Sequence, residues 1–276
     1  DIGGELADRA DDHPVEREIN RDRGQSRDDQ RDQQEVDGEL QHCPAQRGFV
    51  DDDFDEVRAA DSFADDYIVI AIPAKGAKKQ GDPMPALRRF LEIALEYDPV
   101  NIGDSLNGGG LRPTRHQNPL EHFGERPTKP DLRKVIEGLT KATTVAAVFD
   151  KKENAENFVT RIRKEDLGVS VNISSSIDNA LGCCKASGAT RHSVGYSLGF
   201  EGIPLNDPNR YVLMLSTMCG HGMVSQTLAR KMIDFVKENR RTPDECVASL
   251  SRFCSCGIFN TTRAKRIIEE ARKQNF

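Results

Sequence analysis

The sequence predicts an α/β domain, a small four-stranded sheet with covering helices, followed by a C-terminal three-helix appendage and preceded by a largely disordered segment. Three observations carry that prediction. Short β-branched runs alternate with amphipathic segments between Asp131 and Leu215. From Met223 onward, helical patterns follow one another with no strand between them. Residues 1–66 hold 22 acidic and 8 basic side chains and little apolar periodicity. Alternating strands and helices bury one face of a sheet under helices, whereas a strongly charged, apolar-poor stretch cannot offset its ordering entropy.

In chain order, residues 1–66 form an acidic tail whose Asp/Arg/Gln strings contain no Lys. The plain reading is a solvating tail; the Lys-free composition leaves open a second one, that the stretch is not native coding sequence. Residues 67–130 read as a helix-containing linker region. Within it, residues 67–73 suit a short strand. Leu87, Phe90, Leu91, Ala94 and Leu95 recur at helical spacing over 85–97. Gly108, Gly109 and Gly110 are too permissive for regular structure and lack the Lys-Ser/Thr of a phosphate loop.

The main domain spans 131–276. Strands are predicted at 143–149, 168–173, 193–198 and 211–215 from their β-branched and alternating residues. A helix over 153–165 places Ala155, Phe158, Val159 and Ile162 on one face. A second helix starts at Ser175, with Asp178 completing a capping-box-like start and Cys184 on its inner face. Three helices over 223–238, 243–253 and 261–273 close the chain, the last capped by Asn260.

Composition narrows the functional classes. With 30% charged residues, no apolar run approaches the ~18–20 residues that a membrane-spanning helix needs. The stretch after residue 66 carries 23 acidic and 31 basic groups, which raises nucleic acid as a partner. The basic helix over 261–273 is interrupted by Glu269 and Glu270, however, and few aromatics are present for base stacking. A solvated helix surface explains the charge better. No basic start followed by an apolar stretch is present. This and seven cysteines, an odd number, predict a reducing, cytoplasmic setting in which clustered thiols act as ligands or catalysts.

Four residues stand out among the Cys and His. Cys219 and His221 lie in Cys219-Gly220-His221, and Cys254 and Cys256 lie in Cys254-Ser255-Cys256, both next to glycines and about thirty residues apart. A helical hairpin between them would return the second loop to the first. Three thiolates and an imidazole form the N/S set that zinc favours, and thiolates also hold iron–sulfur clusters. The one-residue gap within each pair strains two ligands on a single ion, which tilts toward a cluster and admits Cys183 as a further ligand. Zinc and iron–sulfur stay open.

A metal-free reading makes Cys219 a nucleophile, lowered in pKa by a helix N-terminus and by His221. Cys184 and Cys246 fall on apolar helix faces and read as small buried hydrophobes. If the strands run parallel, their carboxyl ends form a ligand rim. Ser175, Ser176, Gly220 and Gly222 would then offer backbone N–H groups to an anion at helix starts, although the serines also serve as plain caps. The expected function is a metal-dependent redox or lyase-type enzyme acting on a small anionic substrate, with Cys219 and His221 catalytic and a redox partner. The alternatives are a zinc-stapled, non-enzymatic interaction module and the thiol enzyme.

Overall fold

The computed structural model describes residues 65–73, 81–112, 127–191, 193–195 and 209–274. The acidic stretch 1–64, and with it the tail reading, lies outside them. β1 (Tyr67–Pro73) is apolar at nearly every position and lies inside the sheet: it pairs antiparallel with β4 (Val145–Phe149) on one side and β5 (Val169–Ser174) on the other. β2 (Asn101–Asp104) pairs with the free side of β4, and β3 (Gly108–Gly109) pairs with β2. The order is β3-β2-β4-β1-β5, antiparallel throughout.

Alternation along the strands sends two sets of side chains to opposite faces. Tyr67, Val69, Ala71, Ile102, Val145, Ala147 and Phe149 share one core with α1 (Met84–Leu95) and α3 (Lys152–Glu165). Phe158 of α3 is the centre of that core. Its ring lies 5.0 Å from Phe90 in an edge-on contact and 5.1 Å from Phe149, separations at which aromatic pairs attract. α2 (Leu132–Glu137) packs against α1 and β2, and α4 (Ile177–Ser187) packs against α3.

The rest of the described chain is helical: α5 (Arg210–Thr217), α6 (Gln226–Lys237), α7 (Pro243–Ser251) and α8 (Thr261–Arg272). They enclose a second core that includes Val212, Leu215, Ile233, Val236, Leu250, Phe259 and Ile267. Each helix begins with a side chain that satisfies otherwise orphaned N–H groups. Asn209 accepts from the N–H groups of Tyr211 and Val212, and Ser225 accepts from that of Leu228. Thr242 and Glu245 form a reciprocal capping box, and Asn260 accepts from Arg263 N–H.

Two contacts fix this helical half on the second face of the sheet. Asn101 and Gly103 point there, and Asn101 Nδ2 donates to Phe259 O at 3.1 Å. At the other, Asp66 and Arg263 form a buried ion pair at 2.7 Å, with Asn260 Nδ2 donating to Asp66 Oδ1 at 2.9 Å. Arg266 grips Asp65 through two nitrogens, at 2.8 and 3.1 Å. Asp65 and Asp66, assigned from sequence to the acidic tail, are therefore structural. Arg263 and Arg266, two of the cations that suggested a phosphate-tracking helix, are engaged within the fold.

The α/β class holds, with a five-stranded sheet among the described residues in place of the expected four. Residues 211–215 are helical, because Asn209 caps the segment and Tyr211, Val212 and Leu215 face one side together. Residues 193–195 adopt no regular structure, and 196–198 lie outside the described residues. Gly108–Gly109, read as an unstructured linker, is an edge strand. β1, α1, β2 and β3 all come from the stretch read as a linker region, and they build the core with the later elements.

Candidate metal centre

Two turns bring the cysteines and the histidine together. After α5 ends at Thr217, the chain turns on a hydrogen bond from Gly222 N–H to Cys219 O at 2.9 Å, with Gly222 at φ 64°. After α7 ends at Ser251, Cys254 N–H donates back to Ser251 O at 3.1 Å, and Gly257 takes φ 74°. Left-handed backbone of this kind suits glycine. The α6–α7 hairpin between the turns returns the second beside the first.

The result is a continuous chain of side-chain contacts. The Cys219 and Cys254 thiols are close enough to shift one another's acidity, Cys254 Sγ lies 4.0 Å from Cys256 Sγ, and Cys256 Sγ lies 3.4 Å from His221 Nδ1. Cys219 and Cys254 are each 1% exposed and Cys256 9%, while His221 is exposed. The sulfurs belong to the helical core and the imidazole to its surface. Among the described residues, no group of three or more His, Cys, Asp or Glu side chains is placed so that it could hold a metal ion; the contacts are pairwise.

Thiol acidity is graded along this chain. Its hydrogen bond to Cys254, and then burial, push Cys219 far above the usual thiol range. Cys254 is pulled down by that same bond, but its bond to Cys256 and its burial leave it raised overall. Cys256 is lowered, chiefly by the hydrogen bond from Cys254. Cys219 also follows the C-terminal end of α5, and α6 begins only at Gln226. The helix-dipole argument for a Cys219 thiolate assumed a helix N-terminus, and the actual position has the opposite sign. A buried, acid-weak thiol is a poor nucleophile.

The other predicted site residues lie elsewhere. Cys183 sits in the sheet-side core, its thiol pushed up to about 11 by burial and then by Glu156. The helical phase is the reverse of that expected, with Cys183 buried and Cys184 half-buried. Ser176 caps α4 by accepting from Asn179 N–H, and Ser175 Oγ donates to Asp66 O at 2.6 Å. Both serines therefore have structural work. An antiparallel sheet has no single carboxyl-end rim, so Ser175 and Ser176 are not joined to Gly220 and Gly222 along one edge. The glycines belong to the exposed His221 turn.

The chain matches no family model, no curated protein and no solved structure. Two site residues that the cysteine pattern did not suggest are Asn101 and Gly103, which seat the Cys254–Gly257 turn on the sheet. The available signal was a glycine inside a short strand, a mark of close backbone approach.

Proposed function

We propose that this protein binds one zinc ion through Cys219, His221, Cys254 and Cys256, and that the ion staples the α5–α6 turn to the α7–α8 turn. The observation that carries this reading is the pair of separations at Cys256. Ligands at ~2.3 Å for sulfur and ~2.0–2.1 Å for nitrogen around a tetrahedral ion stand roughly 3.8 Å apart for two sulfurs and roughly 3.6 Å for sulfur and nitrogen. The sulfurs of Cys254 and Cys256 are 4.0 Å apart, and Cys256 Sγ is 3.4 Å from His221 Nδ1. Binding requires the side chains to rotate from these pairwise contacts to converge on one ion.

The same separations favour zinc over a 4Fe–4S cluster, whose cysteines each bind a different iron and stand farther apart. Burial of all three sulfurs in the helical core favours a structural role over thiol catalysis. A staple at this point holds the helices together and keeps the Cys254–Gly257 turn seated on β2. On this reading the protein is an interaction or scaffold module whose helical half folds with its metal.

The test is elemental analysis of protein purified without added metal, beside the variant Cys254→Ser. One zinc per chain, lost in the variant together with a lower melting temperature, supports the staple. Iron and inorganic sulfide in place of zinc would support the cluster instead, and no bound metal would remove both.

A further inference from the structure

We infer that Cys254 and Cys256 form a peroxide-responsive dithiol, in which Cys256 meets the oxidant and Cys254 closes a disulfide with it. Two thiols in contact suffice and no ion takes part, so the pair stands apart from the zinc reading. The contact is present, with the two sulfurs 4.0 Å apart. Residues two apart are separated by at most roughly 7 Å at Cα, and they share a turn in which Cys254 N–H donates to Ser251 O. Such a bent backbone suits the ~4.4–6.8 Å that a disulfide spans. The bond requires side-chain rotation that closes the sulfurs from 4.0 Å to ~2.05 Å.

Burial assigns the two roles. Cys254 is 1% exposed and Cys256 9%, and the Cys256 sulfur lies 3.4 Å from Nδ1 of the exposed His221 ring, at the edge of the core. A small oxidant therefore meets Cys256 before Cys254. The other described thiols are less suited. Cys219 is 1% exposed, and Cys183 and Cys246 lie inside their cores. Cys184 is half-buried on α4, but its neighbour Cys183 projects about 100° away round the helix, into the sheet-side core.

The oxidant is hydrogen peroxide or a peroxide of similar size. Its O–O bond breaks, the Cys256 thiol becomes a sulfenic acid, and one water leaves. Cys254 Sγ then attacks that sulfur. The S–S bond forms, the S–O bond breaks, and the Cys254 thiol proton leaves with the hydroxyl as a second water. Two electrons pass from the sulfur pair to the peroxide. The second step is intramolecular within one turn, which offsets the weak nucleophilicity that burial gives Cys254. A Cβ on Gly103 would lie 2.5 Å from Cys256 O, so the ring closes where the helical half rests on β2.

The experiment treats the full chain, as purified and after a chelator, with one equivalent of hydrogen peroxide and maps the tryptic peptides by mass. Circular dichroism checks folding. Cys254 and Cys256 share the peptide 253–263. That peptide, and no other cysteine peptide, should lose two hydrogens in the folded chain and regain them with dithiothreitol. In Cys254→Ser the reaction should stop at a sulfenic acid that dimedone traps on Cys256, and in Cys256→Ser no such adduct should form on Cys254. An unchanged 253–263 peptide in both samples would overturn the inference, as would a disulfide that pairs either cysteine with a different one. Equal yield from the urea-unfolded chain would also overturn it, because nearness in sequence alone would then join the sulfurs. Zinc content measured on the same samples reads the staple separately, since a disulfide can form with or without zinc in the purified chain.

Discussion

Gly103 and Gly257 meet backbone to backbone. A Cβ placed on Gly103 would lie 2.5 Å from Cys256 O and 2.6 Å from Gly257 Cα, and one on Gly257 would lie 2.5 Å from Gly103 Cα. The cysteine turn is therefore laid directly on β2, and neither residue tolerates a side chain without moving the other. This contact links the fold to the site: the sheet supports the turn that positions Cys254 and Cys256.

Gly103→Ala should consequently cost about 1–3 kcal/mol, the usual range for overpacking a tight interior, and should weaken metal retention because it displaces Cys256. Gly257→Ala should cost more, since it adds strain at φ 74° to the same clash. Urea unfolding followed with and without chelator measures both effects. Equal stability of Gly103→Ala and wild type would show that the two backbones are not in contact.

The Asp66–Arg263 pair is the second link between the halves. Removing one member of a buried pair leaves an uncompensated charge and costs about 3–5 kcal/mol. Arg263→Ala should fall in that range by equilibrium unfolding. Asp66→Asn, which keeps a hydrogen-bonding group beside Asn260, should lose less. A loss under about 1 kcal/mol for Arg263→Ala would place the pair in solvent, where ion pairs contribute little.

Two carboxylates should respond to acid in opposite directions. Burial, only partly offset by Arg263, raises Asp66 above its ordinary 3.8. The folded state then holds that proton more tightly than the unfolded state. Its contribution to stability is complete below about 3.8 and is lost as pH rises through the folded value. Glu165, bonded by Arg89 and Arg161, is lowered to about 2; its contribution is present above its ordinary 4.5 and is lost as pH falls toward 2. Asp66→Asn should therefore make the pH slope of stability more positive just above pH 4. Glu165→Gln should flatten the slope between about 4.5 and 2. Unfolding midpoints measured from pH 2 to 7 separate the two, and identical slopes in all three proteins would contradict both assignments.

Cys183→Ser supplies the control for the metal centre. It lies in the sheet-side core, so it should lose stability through an altered core contact yet bind as much zinc as wild type. Zinc lost from Cys183→Ser while the variant remains folded would mean that the ligand set differs from the four residues proposed.

Much of this fold was legible where local pattern and tertiary burial agree. The face of α3 named from spacing, Ala155, Phe158, Val159 and Ile162, is the face that is buried. Asn260 caps α8 as its position implied, and Cys246 is a buried, hydrophobe-like thiol as its helical phase implied. The failures have physical causes. Residues 211–215 are β-branched and aromatic enough to suit a strand, but the Asn209 cap and the helical core decide for helix. Gly108–Gly109 has no local preference at all and is ordered by β2. Strand direction depends on pairings distant in sequence, so the parallel rim had no local signature. The Cys219–His221 and Cys254–Cys256 pairing was legible because a hairpin of two helices has few other ways to close. The sheet contact at Gly103 was not, because it joins residues more than 150 positions apart.

The most direct test of the account is zinc K-edge X-ray absorption on the stoichiometrically loaded full chain. The account predicts a single zinc shell of three sulfurs and one nitrogen, at ~2.3 Å and ~2.0–2.1 Å, with one nitrogen lost in His221→Ala. A shell made only of oxygen and nitrogen ligands, or zinc that washes out at neutral pH with the protein still folded, would contradict it.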